Sequence, residues 1–185
     1  MVGLGVEEGV KARVSKYVSY LLRHNPGDLE VDNCGFVDLG ELVSKVRRRY
    51  PMVDREFLMR IVGESERKRF EIVGGKIRAL YGHTIPVHIR LKEDKQITRL
   101  YHGTTPEAAK EILEKGLQPM RRRWVHLSPT EEIAQEVGKR RTKTPAILLI
   151  DVSEARSGGI RFFRATDKVY VCKYVPAKCI KTLHA

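Results

Sequence analysis

The 185-residue chain has little cysteine and no long apolar run. Its three cysteines, Cys34, Cys172 and Cys179, fit no Cys-x-x-Cys or Cys/His spacing. We therefore predict small buried thiols in a reducing compartment, with no disulfide framework and no zinc site. No apolar stretch approaches the ~20 residues of a membrane helix, and the first residues lack the hydrophobic core of a signal peptide. These absences lead us to expect a soluble, cytoplasmic protein.

Acidic side chains are scarce relative to basic ones. The chain carries 35 Lys and Arg against 23 Asp and Glu, a formal net charge of +12. Such a surplus favours polyanionic partners, of which nucleic acid is the commonest, and phosphate contacts would make binding sensitive to salt. A charged surface of the thermophilic kind is the alternative. Residues 1–85 hold 15 basic and 12 acidic side chains, and the remainder hold 20 and 11, so most of the surplus lies in the second half.

The first third of the chain has the pattern of three helices followed by a hairpin. Apolar residues recur at helical spacing over 10–22, and Asn25-Pro26-Gly27 ends that helix. Asp38 and Asp54 are each placed to cap a further helix. Gly74-Gly75 joins two short strands by a two-residue turn. This order is typical of a winged-helix module, which indicates a nucleic-acid platform and no chemistry.

The second half mixes short strands and helices. Residues 83–98 contain Pro and many charges, which predicts a linker or a short edge strand, and we divide the chain there into domains 1–88 and 89–185. Ala146–Ile150 is a continuous apolar run, as expected of a central strand. The capping box Ser128-Pro129-Thr130-Glu131 predicts a helix with Pro at its first position. We expect an α+β fold whose second domain holds one sheet of five or six strands.

Basic side chains stand at several places where a phosphate could bind. Arg23-His24 ends the first helix, where adjacent side chains can converge on one ligand, although both also suit the negative end of the helix dipole. Arg69 begins a predicted strand, where a solvent-facing arginine is the ordinary interpretation. Arg121–Arg123 and Lys139–Arg141 flank a predicted helix. They would form an anion funnel if both faced one cleft, and a solvated basic rim otherwise.

Two histidines end short strands directly before helix starts. His102-Gly103-Thr104-Thr105 follows one strand, and a glycine there lets the backbone approach a flat ligand closely. The helix start beside it favours anions. His126-Leu127-Ser128 repeats the pattern at a second strand. Nucleotide sites are often built in this way, and two such strand ends indicate one more strongly than a single HGT does.

Taken together, these segments resemble the RNA 2′-phosphotransferase family, called KptA in prokaryotes. They occur in order along most of the chain: LLRHNP at 21–26, GFV at 35–37, KRFEI at 68–72, IRALYGHT at 77–84, LYHGTT at 100–105, VHLS at 125–128 and GKR at 138–140. The resemblance implies a winged-helix lobe that binds RNA and an ADP-ribosyltransferase-like lobe that binds NAD. LYGHT stands where NQGHS is more usual, and RRRW before VHLS departs from the family's basic-His pattern.

The resemblance also implies a set of catalytic residues. The family's Arg-His-Arg-Arg quartet falls on Arg23, His24, Arg69 and Arg140, and Arg141 directly follows the last of these. Arg23 and Arg69 would clamp the RNA 2′-phosphate, since guanidinium groups bind phosphate in bidentate fashion. Arg140 would stabilise the charge of phosphoryl transfer, and His24 would donate a hydrogen bond or carry a proton.

The resemblance also implies that NAD is a co-substrate. His102 would hold its adenosine ribose, and the Gly103 backbone would hold the nicotinamide amide. The NAD-binding positions implied as a whole are His102, Gly103, Thr104, His126 and Ser128. The implied products are 2′-OH RNA, nicotinamide and ADP-ribose 1″,2″-cyclic phosphate, and no metal is needed because the arginines supply the positive charge. We expect a monomer that acts on tRNA-like RNA and has no membrane partner.

Other classes of protein compete with this interpretation. A protein mono-ADP-ribosyltransferase would share the NAD lobe, but such enzymes commonly use a Glu near the nicotinamide ribose, and the corresponding strand at Thr166–Tyr170 has none. A winged-helix regulator explains the charge and the first 80 residues but leaves LYHGTT and VHLS without a role. ADP-ribosylation of another RNA group, such as a 5′ end, stays open.

Overall fold

A computed structural model describes residues 2–65 and 68–184 and divides the chain into two compact units, 1–90 and 91–185. Each unit has its own hydrophobic core. Over the described residues the fold is mixed α/β, with six α-helices and three antiparallel sheets. None of the helices described is both long enough and apolar enough to cross a membrane.

The first unit contains three helices and a three-stranded sheet. In chain order its elements are α1 (Val2–Arg23), β1 (Val37–Asp38), α2 (Leu39–Arg47), α3 (Arg55–Gly63), β2 (Phe70–Val73) and β3 (Lys76–Ala79). The strands lie in the order β1-β3-β2, so the two-residue β1 pairs with β3, the second strand of the hairpin. The core is formed by the apolar faces of all three helices with Phe70 and Ile77 from the sheet.

The local signals in this unit are confirmed. Asp38 caps α2 by accepting the Glu41 N–H at 3.0 Å, and Asp54 caps α3 by accepting the Phe57 N–H at 2.7 Å. Gly74-Gly75 closes the β2–β3 hairpin with φ of 56° and 78°, a left-handed pair that glycine adopts without strain. Short-range chemistry therefore determines where these elements begin and turn.

The second unit holds two sheets. In chain order its elements are β4 (Lys92–Glu93), β5 (Arg99–Thr104), α4 (Pro106–Lys115), β6 (Val125–Leu127), α5 (Glu131–Gly138), β7 (Ala146–Asp151), α6 (Val152–Ser157), β8 (Phe163–Thr166), β9 (Val169–Cys172), a short 3-10 helix (Ala177–Cys179) and β10 (Ile180–His184). The strand orders are β10-β7-β5 and β4-β8-β9-β6. The apolar run at 146–150 is the central strand of the first sheet, and β4 is an edge strand of the second, both as predicted.

The prediction of one sheet of five or six strands is wrong. Among the described residues, β5 and β6 are joined by a single bridge between Tyr101 and Ser128, so the strands form separate sheets of three and four. The predicted helix start at Pro129 is also wrong, because the Ser128 backbone takes part in that bridge. Helix α5 begins at Glu131, and Thr130 caps it by accepting the Ile133 N–H at 3.4 Å.

The cysteines divide into two kinds. Cys172 and Cys179 are buried, as predicted, and burial raises the pKa of the Cys172 thiol to about 12. The prediction of a buried Cys34 is wrong, since its side chain is exposed. Cys34 lies in a turn in which the Asp32 carboxylate accepts the N–H groups of Cys34 and Phe36 at 2.8 and 2.9 Å. The demands of that turn, which keep this segment at the surface, outweigh the thiol's preference for the core.

Candidate active site

Arg23, the last residue of α1, lies against two aromatic rings. Its Cζ is 4.7 Å from the Tyr81 ring centroid and 6.0 Å from that of Phe70. Its Nε and Nη2 atoms are shielded from solvent. Gly82, with φ of 88°, passes close by, and a Cβ there would lie 3.4 Å from Arg23 Cδ. A guanidinium packed on aromatic faces has a restricted orientation, which suits bidentate phosphate binding better than a mobile surface arginine would.

His24 follows directly and is tied to the same loop. Its Nδ1 lies 3.2 Å from Thr84 Oγ1. The Arg23 carbonyl, at the open end of α1, accepts the backbone N–H of Thr84 at 2.9 Å and that of Ile85 at 3.3 Å. These bonds satisfy a carbonyl that the helix itself leaves without a partner. The loop at 81–85 is thereby fixed to the helix end that carries both candidate residues.

Arg69 is half-buried, so its ordinary interpretation as a solvent-facing arginine is wrong. Its Nη1 donates to Ser15 Oγ at 2.8 Å, and Ser15 is a buried residue of α1. Lys68, just before it, has a left-handed φ of 40°, which turns the chain into β2. Because Phe70 contacts Arg23 and Arg69 bonds to α1, the structure brings all three candidate residues of this unit to one helix.

In the second unit, strand β5 stops pairing with β6 after one bridge. Tyr101 exchanges two hydrogen bonds with Ser128, at 2.9 and 2.8 Å. In a regular antiparallel ladder the next bonded pair would be Gly103 and His126. Instead, the His126 carbonyl accepts a bond from His102 Nδ1 at 3.1 Å. Among the described residues the Gly103 N–H and C=O form no hydrogen bond on this edge, and Gly103 itself is buried.

A second reason for a glycine at position 103, besides close approach to a ligand, is the packing of a helix against it. A Cβ at this position would overlap the carbonyl oxygen of Ala134 and lie 2.7 Å from its carbon and 3.0 Å from the Gly138 nitrogen. Helix α5 therefore packs directly on the backbone of β5. The sequence interpretation considered only close approach to a ligand, and the structure adds close approach of a helix. Thr104 and Ser128, the other small candidates, are buried beside these strand ends.

The ring of His102 has one definite proton arrangement. Burial lowers the pKa of His102 and outweighs the opposing effect of the His126 carbonyl, while the charge of Arg141 lowers it further. The ring is therefore neutral near pH 7. Since a carbonyl can only accept, Nδ1 carries the proton and Nε2 is left as an acceptor. An acceptor at that position suits a donor such as a ribose hydroxyl.

Arg140 and Arg141 both lie exposed in the turn after α5. The Arg140 N–H bonds to the Val137 carbonyl at 3.3 Å, and the Arg141 N–H bonds to that of Gly138 at 2.9 Å. The charge that acts on His102 is that of Arg141. Arg141 is thus linked to the strand end by electrostatics, whereas Arg140 is a candidate through the GKR segment alone.

Four residues near the candidates escaped sequence reasoning. Their roles depend on contacts between distant segments, which leave no periodic signal. Three of them lie in the IRALYGHT segment at 77–84, which supports the family resemblance but carries no local signal of these contacts. The one local signal was a glycine between a strand and a proline, typical of a turn with positive φ. They are Ser15, Tyr81, Gly82 and Thr84.

Two guanidiniums and an imidazole held against one helix in the first unit, and an unpaired strand edge in the second, are groups that enzymes use to bind phosphates and nucleotides. A sequence model described as RNA 2′-phosphotransferase, Tpt1 / KptA family, matches residues 10–174. The chain therefore belongs to the RNA 2′-phosphotransferase family and is a transferase. This confirms the resemblance drawn from the sequence segments.

Individual relatives agree with this assignment. The chain is 44% identical over 179 residues to a probable RNA 2′-phosphotransferase of Pyrococcus abyssi, covering 96% of this chain and 98% of the relative. It is 44% identical over 175 residues to one from Acetivibrio thermocellus, covering 92% and 96%. A probable RNA 2′-phosphotransferase of Bacillus thuringiensis is 39% identical over 171 residues, covering 90% and 92%. The likeness thus extends over both units.

Proposed function

We propose that this protein removes an internal 2′-phosphate from RNA, with NAD as co-substrate. NAD, when bound, supplies the ADP-ribose that receives the phosphate, so that the products are 2′-OH RNA, nicotinamide and ADP-ribose 1″,2″-cyclic phosphate. Membership of the family supports the RNA 2′-phosphate as the group transferred. The observation that carries the NAD part is the open edge of β5 at Gly103, beside the acceptor nitrogen of His102.

The strand ends of the second unit fit a dinucleotide. One amide donor and one carbonyl acceptor on Gly103 match the donor and acceptor of a carboxamide group. Nε2 of His102 can accept from a ribose hydroxyl, a role that an imidazolium could not fill. We assign NAD binding to His102 and Gly103 with the neighbouring strand-end residues Thr104, His126 and Ser128.

The first unit fits the phosphate. In the first step the RNA 2′-phosphate would attack C1″ of the nicotinamide ribose of NAD, and nicotinamide would leave. A phosphate dianion is already nucleophilic, so this step needs positioning and no general base. We assign phosphate binding to Arg23 and Arg69, because each guanidinium is held by other side chains and loses little freedom on binding. His24 donates a hydrogen bond to the phosphate or carries a proton to the departing RNA 2′-oxygen.

In the second step the ADP-ribose 2″-OH would attack phosphorus, and the RNA 2′-oxygen would leave and take up a proton. We assign Arg140 to this step, in which negative charge builds on the phosphoryl oxygens. Arg140→Ala should yield RNA that has gained ADP-ribose and kept its phosphate, whereas Arg141→Ala should complete turnover. The two variants are matched, since both remove an exposed guanidinium from the same turn. Complete turnover by Arg140→Ala would contradict this assignment.

The proposed function is tested with an oligonucleotide that bears one internal 2′-phosphate. Incubation with NAD should give 2′-OH RNA and the cyclic phosphate in equal amounts, and omission of NAD should give neither. An oligonucleotide without the 2′-phosphate is the control. Labelled NAD with mixed proteins tests the alternative acceptor, and label on protein without dephosphorylation of RNA would replace our proposal by that alternative.

A further inference from the structure

Two aromatic rings lie on the face of the four-stranded sheet that is turned away from the core. Val125 and Leu127 of β6 belong to the core of the second unit. Side chains alternate along a strand, so Trp124 and His126 lie on the opposite face. Phe163 of β8 shares that face, because it and His126 pair with the same position of β9. The rings of Trp124 and Phe163 meet edge to face, with centroids 5.5 Å apart and planes inclined by 74°.

A lysine completes this group, which we call the aromatic patch and define as Trp124, Phe163 and Lys173. The Lys173 side chain is exposed, and its Nζ lies 4.0 Å from the centroid of the Trp124 ring. Within the described ranges Lys173 forms no salt bridge, so its charge is uncompensated. The cation over Phe163 differs, since Arg161 donates two hydrogen bonds to the Glu93 carboxylate, at 2.9 and 2.6 Å.

Further positive charge precedes the patch along the chain. Arg121–Arg123 leads directly into Trp124, and the mechanism proposed above gives that run no role. Arg121 is exposed and Arg123 is half-buried, and neither forms an ion pair with a residue that the structure describes. An aromatic ring beside uncompensated cations offers what single-stranded nucleic acid requires, a surface on which a base can stack and charges for its phosphates.

We propose that the aromatic patch binds single-stranded RNA of the substrate, with one base stacked on Trp124 and a phosphate bound by Lys173. The four-carbon stem of lysine is flexible, so the ammonium can turn from the ring to a phosphate while a base takes its place. The inference rests on the proposed function, in which the substrate is RNA and His126, on the same sheet face, contributes to NAD binding.

The fluorescence of Trp124 tests this directly, because the chain contains no other tryptophan. A single-stranded oligonucleotide without a 2′-phosphate should quench the emission, since a stacked base contacts the indole. A duplex of the same sequence should quench it much less, because its bases already stack on one another. NAD alone should leave the emission unchanged. Quenching by NAD and not by RNA would assign the patch to the adenine of the co-substrate and overturn the proposal.

Variants of Trp124 separate stacking from packing. Trp124→Leu should weaken the binding of labelled single-stranded RNA about tenfold, the effect of one lost stacking contact, whereas Trp124→Phe keeps a ring and should retain most of the affinity. NAD titration should give the same Kd for both variants as for the wild-type protein. Thermal unfolding checks that each variant is folded. RNA affinity equal to that of the wild-type protein in a folded Trp124→Leu would overturn the proposal.

The charge is tested through the salt dependence of RNA binding. Lys173→Gln should reduce the slope of log affinity against log salt by about 0.7, the change expected for one lost contact to a single-strand phosphate. Lys181→Gln is the matched control, since it removes an exposed lysine from β10 in the other sheet and should leave the slope unchanged. Equal slopes for the two variants would remove Lys173 from the site.

These outcomes are distinct from those of the proposed function, because binding is measured on RNA that lacks the 2′-phosphate. RNA that quenches Trp124 but is never dephosphorylated with NAD would refute the proposed function and leave the aromatic patch as an RNA site. Dephosphorylation by a protein whose Trp124 emission does not respond to RNA would support the proposed function and refute the patch.

Discussion

The two units hold their candidate residues by different means. In the first unit, side chains are held by other side chains: Tyr81 packs on Arg23, and Ser15 bonds Arg69. In the second unit the candidate site includes main-chain groups, because β5 has no partner strand beside Gly103 after the single bridge at Tyr101. Truncating a side chain should therefore damage the first site most, and adding one should damage the second.

The largest effect is expected from a side chain added at Gly103, where the structure leaves no space for one. Gly103→Ala should lower the free energy of unfolding by about 3 kcal/mol or more and abolish NAD binding, because its Cβ meets backbone atoms of α5. Urea unfolding and NAD titration calorimetry measure the two effects. Gly63→Ala is the control, since nothing lies within 4 Å of a Cβ there, and it should change stability by less than ~1 kcal/mol. Equal behaviour of the two variants would show that α5 does not confine β5.

The next effect concerns a guanidinium of the first site. Arg23→Lys keeps the charge but loses the planar group between Tyr81 and Phe70, so kcat/KM for 2′-phosphate removal should fall about a hundredfold. NAD titration should be unaffected. The control is Arg49→Lys, because the Arg49 Cζ also lies over an aromatic ring, that of Tyr17 at 5.0 Å, without being a candidate residue. Full activity of Arg23→Lys would show that charge alone suffices.

A smaller effect is expected from the hydroxyl that holds Arg69. Ser15→Ala should slow turnover about tenfold and lower the free energy of unfolding by about 1.5 kcal/mol, because a partly buried bond to a charged group is lost. Single-turnover kinetics and urea unfolding measure the two quantities. Ser157→Ala removes a hydroxyl that bonds within α6, to the Ser153 carbonyl at 3.1 Å, and should leave turnover unchanged. A loss of stability with normal turnover would make Ser15 purely structural.

The smallest effect is a pH dependence in the second unit. Burial holds the pKa of His102 below its usual value, so the unfolded chain takes up a proton at a higher pH than the folded chain does. Stability due to this ring is present above about pH 6.5 and is lost as the pH falls below it, by at most ~1.4 kcal/mol per pH unit. Urea unfolding at several pH values should show a weaker decline in His102→Gln than in the wild-type protein.

The control for this measurement is His88→Gln, a change at an exposed histidine of the first unit. It should leave the wild-type decline in place. Parallel curves for His102→Gln and the wild-type protein would mean that the His102 ring stays accessible to protons, and the assignment of Nε2 as a neutral acceptor would fail with it.

Features with local causes were predicted from the sequence. Asp38 and Asp54 cap helices through bonds to residues three positions on, and Gly74-Gly75 turns a hairpin between adjacent strands. Features with distant causes were not. The division into two sheets depends on how Tyr101 meets Ser128 and then diverges from it, and no spacing within either strand encodes that divergence.

The contacts of the candidate residues also join distant parts of the chain and could not be predicted from the sequence. Arg69 was identified through the resemblance, but its partner Ser15 is 54 positions away in the chain. Likewise, His24 and Thr84 are 60 positions apart, and the IRALYGHT segment that contains Thr84 carries no local signal of this contact. The prediction that Cys34 is buried was wrong because a local feature was overlooked. Cysteine generally prefers burial, but the turn formed with Asp32 keeps Cys34 at the surface.

The sequence alone determined the basic surplus, the capping residues and hairpin turn, and the motif segments that reveal the family, because each depends on residue type and near neighbours. Only the tertiary structure decided which groups hold Arg23, His24 and Arg69, which nitrogen of His102 carries the proton, and why the Gly103 backbone stays open. A hydrogen-bond donor finds its partner in space, and folding determines which distant residues come within the roughly 3 Å that such a bond requires.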